Sequence, residues 1–472
     1  MSITLFNGGT PTPFPAPYLL PLSHSLKKVP WTTVPYASQT AADTSNFVIA
    51  PRPDSETDLN GGISWYRWAH PDMDYERDLY VRGGRAFYNC EIDTSLTNPA
   101  LTGITILRGG TGPTGYLWFK VFIPQATIAA LTPGIDYFVA IKWFDQESSE
   151  LRMDYSLQVE GTPLSHFFFL DNSQPTNGTG TFSNPFNSTN NPAYLAYSNG
   201  VSAAGKICVL KQGNSATPGS EYQWSNAITG PMWPTTSKLP CAVINIPGET
   251  PVIDLNAEVS FGLEGTAANP TDDYKVYGIK FINGWSTADG GGAIGRGAFS
   301  SFFNNNAKRW GITHCFFDTV NAWITIPNHN NGALTFDGTT ALREHGVVAN
   351  NEFSNAVSPA TNNVGAAIMH MGGEKIIIEN NTVRDWGTTG SGVEIVFKLK
   401  KPSDNLTVRR NIAVDNVTVW TDKYGIEMAD DASTSPYTFD NTEICYNVFE
   451  FPTTLRPRWM GMTATLAVTG NV

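Results

Sequence analysis

Two stretches carry residue types that could do chemistry. Gly392–Lys400 reads GVEIVFKLK, and Tyr424–Asp431 reads YGIEMADD. Strand side chains alternate between faces. Alternation groups Val393, Ile395, Phe397 and Leu399 on one face, with Glu394, Val396, Lys398 and Lys400 on the other. In the second stretch Ile426 and Met428 fall inside and Glu427 outside. If the two stretches stack as successive turns, Glu394 and Glu427 lie one strand spacing apart, roughly 4.8 Å. Lys398 then sits close to Ala429–Asp431. Paired carboxylates suit glycosidic hydrolysis; Glu394, Glu427, Asp430, Asp431 and Asp385 are the candidates. A lysine whose neighbours lower its pKa serves as a general base, and clustered carboxylates hold Ca²⁺. The competing reading is a solvated face with Glu–Lys pairs between turns.

Such a site needs elements that stack in register, and the chain contains them. The segments HGVVANNEFSN, KIIIENNTVRDW, NLTVRRNIAVDN and TEICYNVFEF each join a short β-branched run to an Asn and further apolar residues. Their asparagines, Asn351, Asn381, Asn411 and Asn447, are spaced by 30, 30 and 36. Weaker copies place Cys315 and Ile279 in the same slot, each 36 residues earlier. A fixed period of this size marks stacked repeats. The runs are strand-length and bounded by Asn, Asp and Gly, with no helix-length apolar pattern. The expected unit is a coil of parallel strands with inward apolar columns and an asparagine ladder at one turn. Ile377, Val408 and Ile444 are the expected interior residues, and Asn381 should stack on Asn411.

Composition supports an all-β chain. Only 15% of the 472 residues are charged and 12% are aromatic, with 43 Gly and 31 Pro. The net charge of −12 and the lack of Lys/Arg runs argue against a nucleic-acid partner. The five cysteines are widely spaced without a CxxC, so buried thiols are expected rather than zinc ligands or disulfides. The sequence has no run of 18 apolar residues to span a membrane. Its first residues lack the basic and apolar pattern of an export signal.

Three regions follow in order. Residues 1–46 form a Pro-rich arm, where proline at this density forbids helix and interior strand. Residues 47–163 alternate as about seven short strands, expected to form a β-sandwich for attachment or carbohydrate binding. Trp65, Tyr66, Trp68, Tyr116, Trp118 and Trp143 are either a sugar-stacking platform or, because alternation buries every second residue, mostly core. Residues 164–472 form the coil stack, expected to separate from the sandwich near Gly161–Ser165.

The repeats and the opening segment HFFFLDNSQPTNGTGTFSNPF resemble the pectate-lyase-like right-handed parallel β-helix superfamily. That superfamily includes lyases, hydrolases, phage tailspikes and inert structural proteins. The EIVFK strand is similar to lyases that pair a strand lysine with acidic Ca²⁺ ligands. The resemblance implies Lys398 as base, with Glu394 and Glu427 as ligands of a Ca²⁺ cofactor. Asp430 joins the catalytic set. Lys400, Asp431, Arg410 and His370 complete a substrate-contacting set. The arm–sandwich–helix order is that of a phage tail spike or fibre. The implied partners are a host surface polysaccharide and tail or baseplate proteins bound through the N-terminal region, with a homotrimer as assembly and the virion tail as location. The alternatives are a free polysaccharide lyase or glycoside hydrolase, and a purely structural virion component.

Overall fold

The computed structural model describes residues 48–49, 65–82, 88–112, 115–144, 150–188, 206–223, 242–255, 275–284, 299–300, 308–320, 324–326, 344–355, 364–370, 373–374, 376–385, 393–400, 403–404, 406–414, 422–429, 439–440, 443–450 and 456–463. The Pro-rich arm and the Gly-rich loop after Gly284 lie outside them. Small N-terminal sheets precede long parallel ones, so the chain is almost entirely β.

The N-terminal region pairs a four-stranded sheet with a three-stranded one. The first runs Trp68–Ala69, Glu150–Val159, Tyr137–Phe144, Asn89–Ile92; the second runs Tyr75–Leu79, Gly115–Ile123, Thr105–Gly112. Their inner faces share a core, in which Phe119 meets Trp143 edge-on at 5.2 Å. A short helix, Gln125–Ala130, follows Pro124 and had no clear signal in the strand-like pattern. Trp65, Tyr66 and Trp143 are buried in this core, so they form no sugar platform; Tyr116 is exposed.

The remainder is a parallel β-helix. One long sheet stacks Phe167–Leu170, Ile207–Leu210, Ala242–Asn245, Lys275–Tyr277, Lys308–Thr313 and Glu344–Ala349, then Ile377–Glu379, Thr407–Arg409 and Glu443–Cys445. An eight-stranded sheet runs from Tyr222–Gln223 to Val448–Glu450, and a six-stranded sheet from Phe299–Ser300 to Arg456–Thr463. Between the first two sheets, six successive coils turn through one residue with positive φ. These are Gly278, His314, Asn350, Asn380, Arg410 and Tyr446, at φ between 52 and 71°. Asparagine tolerates this left-handed geometry better than most side chains.

The next residue in each coil forms the ladder. Asn381 Nδ2 donates to Asn411 Oδ1 at 2.9 Å, and the Asn381 backbone N–H donates to the same oxygen at 2.9 Å. The same pair of bonds joins Asn351 to Asn381 and Asn411 to Asn447. Each Nδ2 also donates to a carbonyl of the preceding coil, such as Asn411 to Ile378. These amides are therefore satisfied although Asn381 and Asn411 have no exposed surface. On the inner side of the eight-stranded sheet, Phe281, Phe317 and Phe353 stack at 5.4 and 4.9 Å.

The interior column differs from expectation by one residue. Register aligns Ile378 with Val348 and Val408, and Val408 with Ile444. Ile377 instead aligns with Val347 and Thr407 on the outer face. There Tyr80, Val347, Ala349 and Ile377 form one buried cluster. The N-terminal region lies on this face, so both sides of the strand are apolar. Alternation then offers no contrast from which to choose the inner face. A larger cluster joins Phe167, Phe169, Ile207, Val209, Ala242 and Ile244 of the coils to Trp65, Val121, Ile141, Trp143 and Leu157.

This shared core makes a prediction about truncation. A chain starting at Leu164 would expose Ile207, Val209, Ile244, Val347 and Ile377, each stabilised by about 1.5–3 kcal/mol when buried. Such a chain is expected to bind a hydrophobic dye strongly and to aggregate. A monomeric species with no added dye binding would show that the coils do not need the N-terminal cover.

Candidate functional site

The six-stranded sheet holds most of the chemistry expected from the sequence. Phe397, Leu399 and Ile426 are buried, as alternation requires. Register places Lys398 opposite Glu427 and Met369, and Glu394 opposite Lys423 and Gly365. Glu394 and Glu427 are therefore not neighbours. They are displaced by four strand positions, about 13 Å along the strand. This corrects both the expected pair and the Ca²⁺ ligand set built on it. Lys398 likewise sits opposite Glu427, while Lys400 takes the place opposite Ala429.

The cause is the uneven placement of chain length between coils. Strands of this sheet succeed one another at offsets of 29, 29 and 34 residues, while the adjacent ladder asparagines are 30, 30 and 36 apart. The connecting loops absorb the difference, so the ladder period does not fix register here. The offset is constant along the pairing, so Lys398 and Glu394 keep their four-position separation on one strand and Glu427 faces only the former.

His370 pairs with Leu399 in the same sheet, one position from Met369 and its partner Lys398. For His370, Glu394, Lys398, Lys400 and Glu427 the backbone placement is described, not the side chain. Asp430 and Asp431 lie outside the described residues. Arg410 is elsewhere, at the ladder turn, which corrects its placement with the substrate-contacting residues. It is 7% exposed and gives hydrogen bonds to Glu379 at 2.8 Å and the Tyr116 carbonyl at 3.2 Å.

The structure also assembles charges that the motif reading passed over. Asp78 of Tyr75–Leu79 accepts on Oδ2 from Lys275 Nζ at 2.8 Å, Thr313 Oγ1 at 2.6 Å and Tyr80 Oη at 2.7 Å. His314 Nε2 lies 4.0 Å from the same oxygen. Burial favours the neutral acid, but Lys275 and His314 outweigh it and hold the Asp78 carboxyl below its usual value. Glu379 accepts from Arg409 and Arg410 at 2.7 and 2.8 Å. Burial again opposes ionisation, and the two guanidinium groups lower the Glu379 pKa despite it. Arg409 continues to Tyr88 Oη at 2.7 Å and to the Val81 carbonyl. Glu76 accepts from Lys120 at 2.8 Å and from Tyr277. All three clusters tie the N-terminal region to the coils. The available sequence signal was three successive polar residues, Glu76-Arg77-Asp78, in a strand whose two faces both become buried.

The eight-stranded sheet contrasts with this covered one. Its outer face carries Lys280, Phe316, Glu352, Thr382, Ile412 and Val448 in one continuous register column. Phe316, Ile412 and Val448 are exposed. The neighbouring column carries Asp318, Ser354, Arg384, Val414 and Glu450. Lys280 meets Asp318, and Arg384 meets Glu352, each at 3.6 Å. Among the described residues no group of three or more His, Cys, Asp and Glu forms a metal cluster.

Fold and surface together define a parallel β-helix whose first long sheet is covered by a small β region. No known family profile matches the chain, and no curated protein sequence matches it.

Proposed function

We propose that this protein is a phage tail spike- or fibre-like virion component that recognises a host surface polysaccharide with its β-helix. The N-terminal region would face other tail or baseplate proteins. One observation carries the recognition reading: among the described residues, the outer face of the eight-stranded sheet exposes Phe316, Ile412 and Val448 in a register column that repeats its positions at the coil spacing. Successive coils are roughly 4.8 Å apart, so a polymer lying along the stack meets similar positions coil after coil. Exposed Phe316, Ile412 and Val448 supply apolar contact, and Arg384, Glu352 and Asp318 supply hydrogen bonds. A pectate-lyase-like ancestry agrees with the coil and ladder pattern.

Cleavage is the second reading, and the register of Lys398 against Glu427 favours it. A carboxylate opposite a lysine holds it in its ammonium form, so in this pair Glu427 would be the base and Lys398 the acid. The displaced Glu394 removes the two-carboxylate geometry, so the pair rather than Ca²⁺ would carry the step.

Retention of the full chain on immobilised purified surface polysaccharides tests the first reading. Phe316→Ala with Arg384→Ala is expected to weaken retention about tenfold, a loss of about 1.4 kcal/mol. Failure to bind any acidic or neutral surface polysaccharide would remove it. New reducing or unsaturated ends in the same incubations would establish cleavage, and Lys398→Ala should then abolish it while binding persists.

A further inference from the structure

The contact between the N-terminal β region and the coils has a titratable group at its centre. His314 occupies the positive-φ corner of its coil, and the next two coils place Asn350 and Asn380 there. From its own element it lies beside Thr313, which donates to Asp78. From Tyr75–Leu79 it faces Asp78 at 4.0 Å. Tyr80 lies beside the same carboxylate, within reach of Asn350 at 3.0 Å. From Gly115–Ile123 it faces the edge of Trp118 at 6.0 Å and the Lys120 ammonium. Lys275 and Tyr277 approach from the preceding coil, with the Tyr277 ring at 5.2 Å. Asn350 touches its Nε2 from the following coil at 3.3 Å. Glu76 stands behind, occupied by Lys120 and Tyr277. Asp78 already takes three donors on Oδ2, the oxygen 4.0 Å from the ring, while its buried Oδ1 accepts none, and the ammonium groups of Lys120 and Lys275 nearby oppose a further positive charge on the imidazole. The side chain keeps 15% exposure, which gives protons a path.

We propose that this contact is an acid-sensitive joint, in which protonation of His314 separates the N-terminal β region from the coils while the ladder stays closed. Burial first, then Lys120 and Lys275, hold the His314 pKa well below 6.5 against the pull of Asp78. Separation returns the imidazole to water and to about 6.5. The closed form therefore binds fewer protons than the open form. Its advantage is complete above about pH 6.5 and falls about tenfold for each pH unit below that, until the folded pKa is reached. His166 acts in the same direction at the far end of the contact. Its pKa falls to about 4, chiefly through burial, where its ring stacks on Trp68.

Hydrogen exchange of the full chain at pH 7.5 and 5.5, corrected for intrinsic rates, reads the opening directly. Segments 75–79 and 308–313 are expected to open about a hundredfold more at pH 5.5, about tenfold from each of His314 and His166, while segment 376–385 of the ladder is unchanged. His314→Asn keeps a residue already used at this corner and should cut the rise in 75–79 to the roughly tenfold that His166 supplies. An equal rise at 75–79 in the variant, or parallel opening of the ladder, overturns the proposal. The wild-type imidazole provides a measurement that does not depend on the variant. With isotope-labelled histidine its signal should titrate below 6.5, and a midpoint at or above 6.5 overturns the proposal as well.

Discussion

Asn411→Ala is expected to lower stability by about 4 kcal/mol or more, read from urea midpoints at equilibrium. The change leaves the Asn381 backbone N–H, the Asn381 Nδ2 and the Ile378 carbonyl without their partners. Each such group, once buried and unpaired, costs about 1–3 kcal/mol. Asn411 has no exposed surface, so solvent cannot replace the lost bonds without the coils parting. Asn447→Ala offers the comparison. It ends the described ladder and is partly exposed, so water can take over some of its bonds and the loss should be clearly smaller. Equal, small effects at both positions would mean that the ladder is a consequence of stacking rather than a cause of it.

Asp78→Asn is expected to cost about 3–5 kcal/mol, the usual penalty for removing one partner of a buried ion pair. Lys275 would keep its charge in a site where its side chain is 2% exposed, with no carboxylate to offset it. Tyr80 and Thr313 would lose an ionised acceptor. Replacing both members, Asp78→Leu with Lys275→Met, should recover part of the loss, because it removes the unpaired lysine charge but leaves the Tyr80 and Thr313 hydroxyls without their acceptor. A double variant as unstable as Asp78→Asn would show that the pair does more than neutralise itself. The carboxyl also sets a pH range for this contribution. Its folded pKa is depressed, so the stabilisation is complete above the unfolded value of about 3.9 and disappears as pH falls through the folded one. Glu379 follows the same sign through Arg409 and Arg410. Acid effects near pH 6 therefore come from His314 and His166, not from these carboxylates.

The sequence by itself determined the repeating parts of this protein. The period of the asparagines marked the coils, and it located the ladder at Asn351, Asn381, Asn411 and Asn447, because each coil must return a hydrogen-bonding amide to the same corner. The β-branched runs marked the strands, and the Gly- and Pro-punctuated segments marked the N-terminal sheets. Local rules suffice for these features, since each depends on a few neighbouring residues and one repeat distance. The tertiary structure decided the rest. Ile377 and Ile378 are both fully buried, and only the N-terminal cover distinguishes the outer face from the inner one. Glu394 and Glu427 were separated by loop lengths that change the register of one sheet without changing the ladder. Asp78 and Lys275 are 197 residues apart, and nothing near either one signals the other. Their pairing exists because an outer coil face with a lysine in it has to be covered by a strand carrying the opposite charge. A site built from such distant contacts has no short-range signature, whereas a ladder repeats its own.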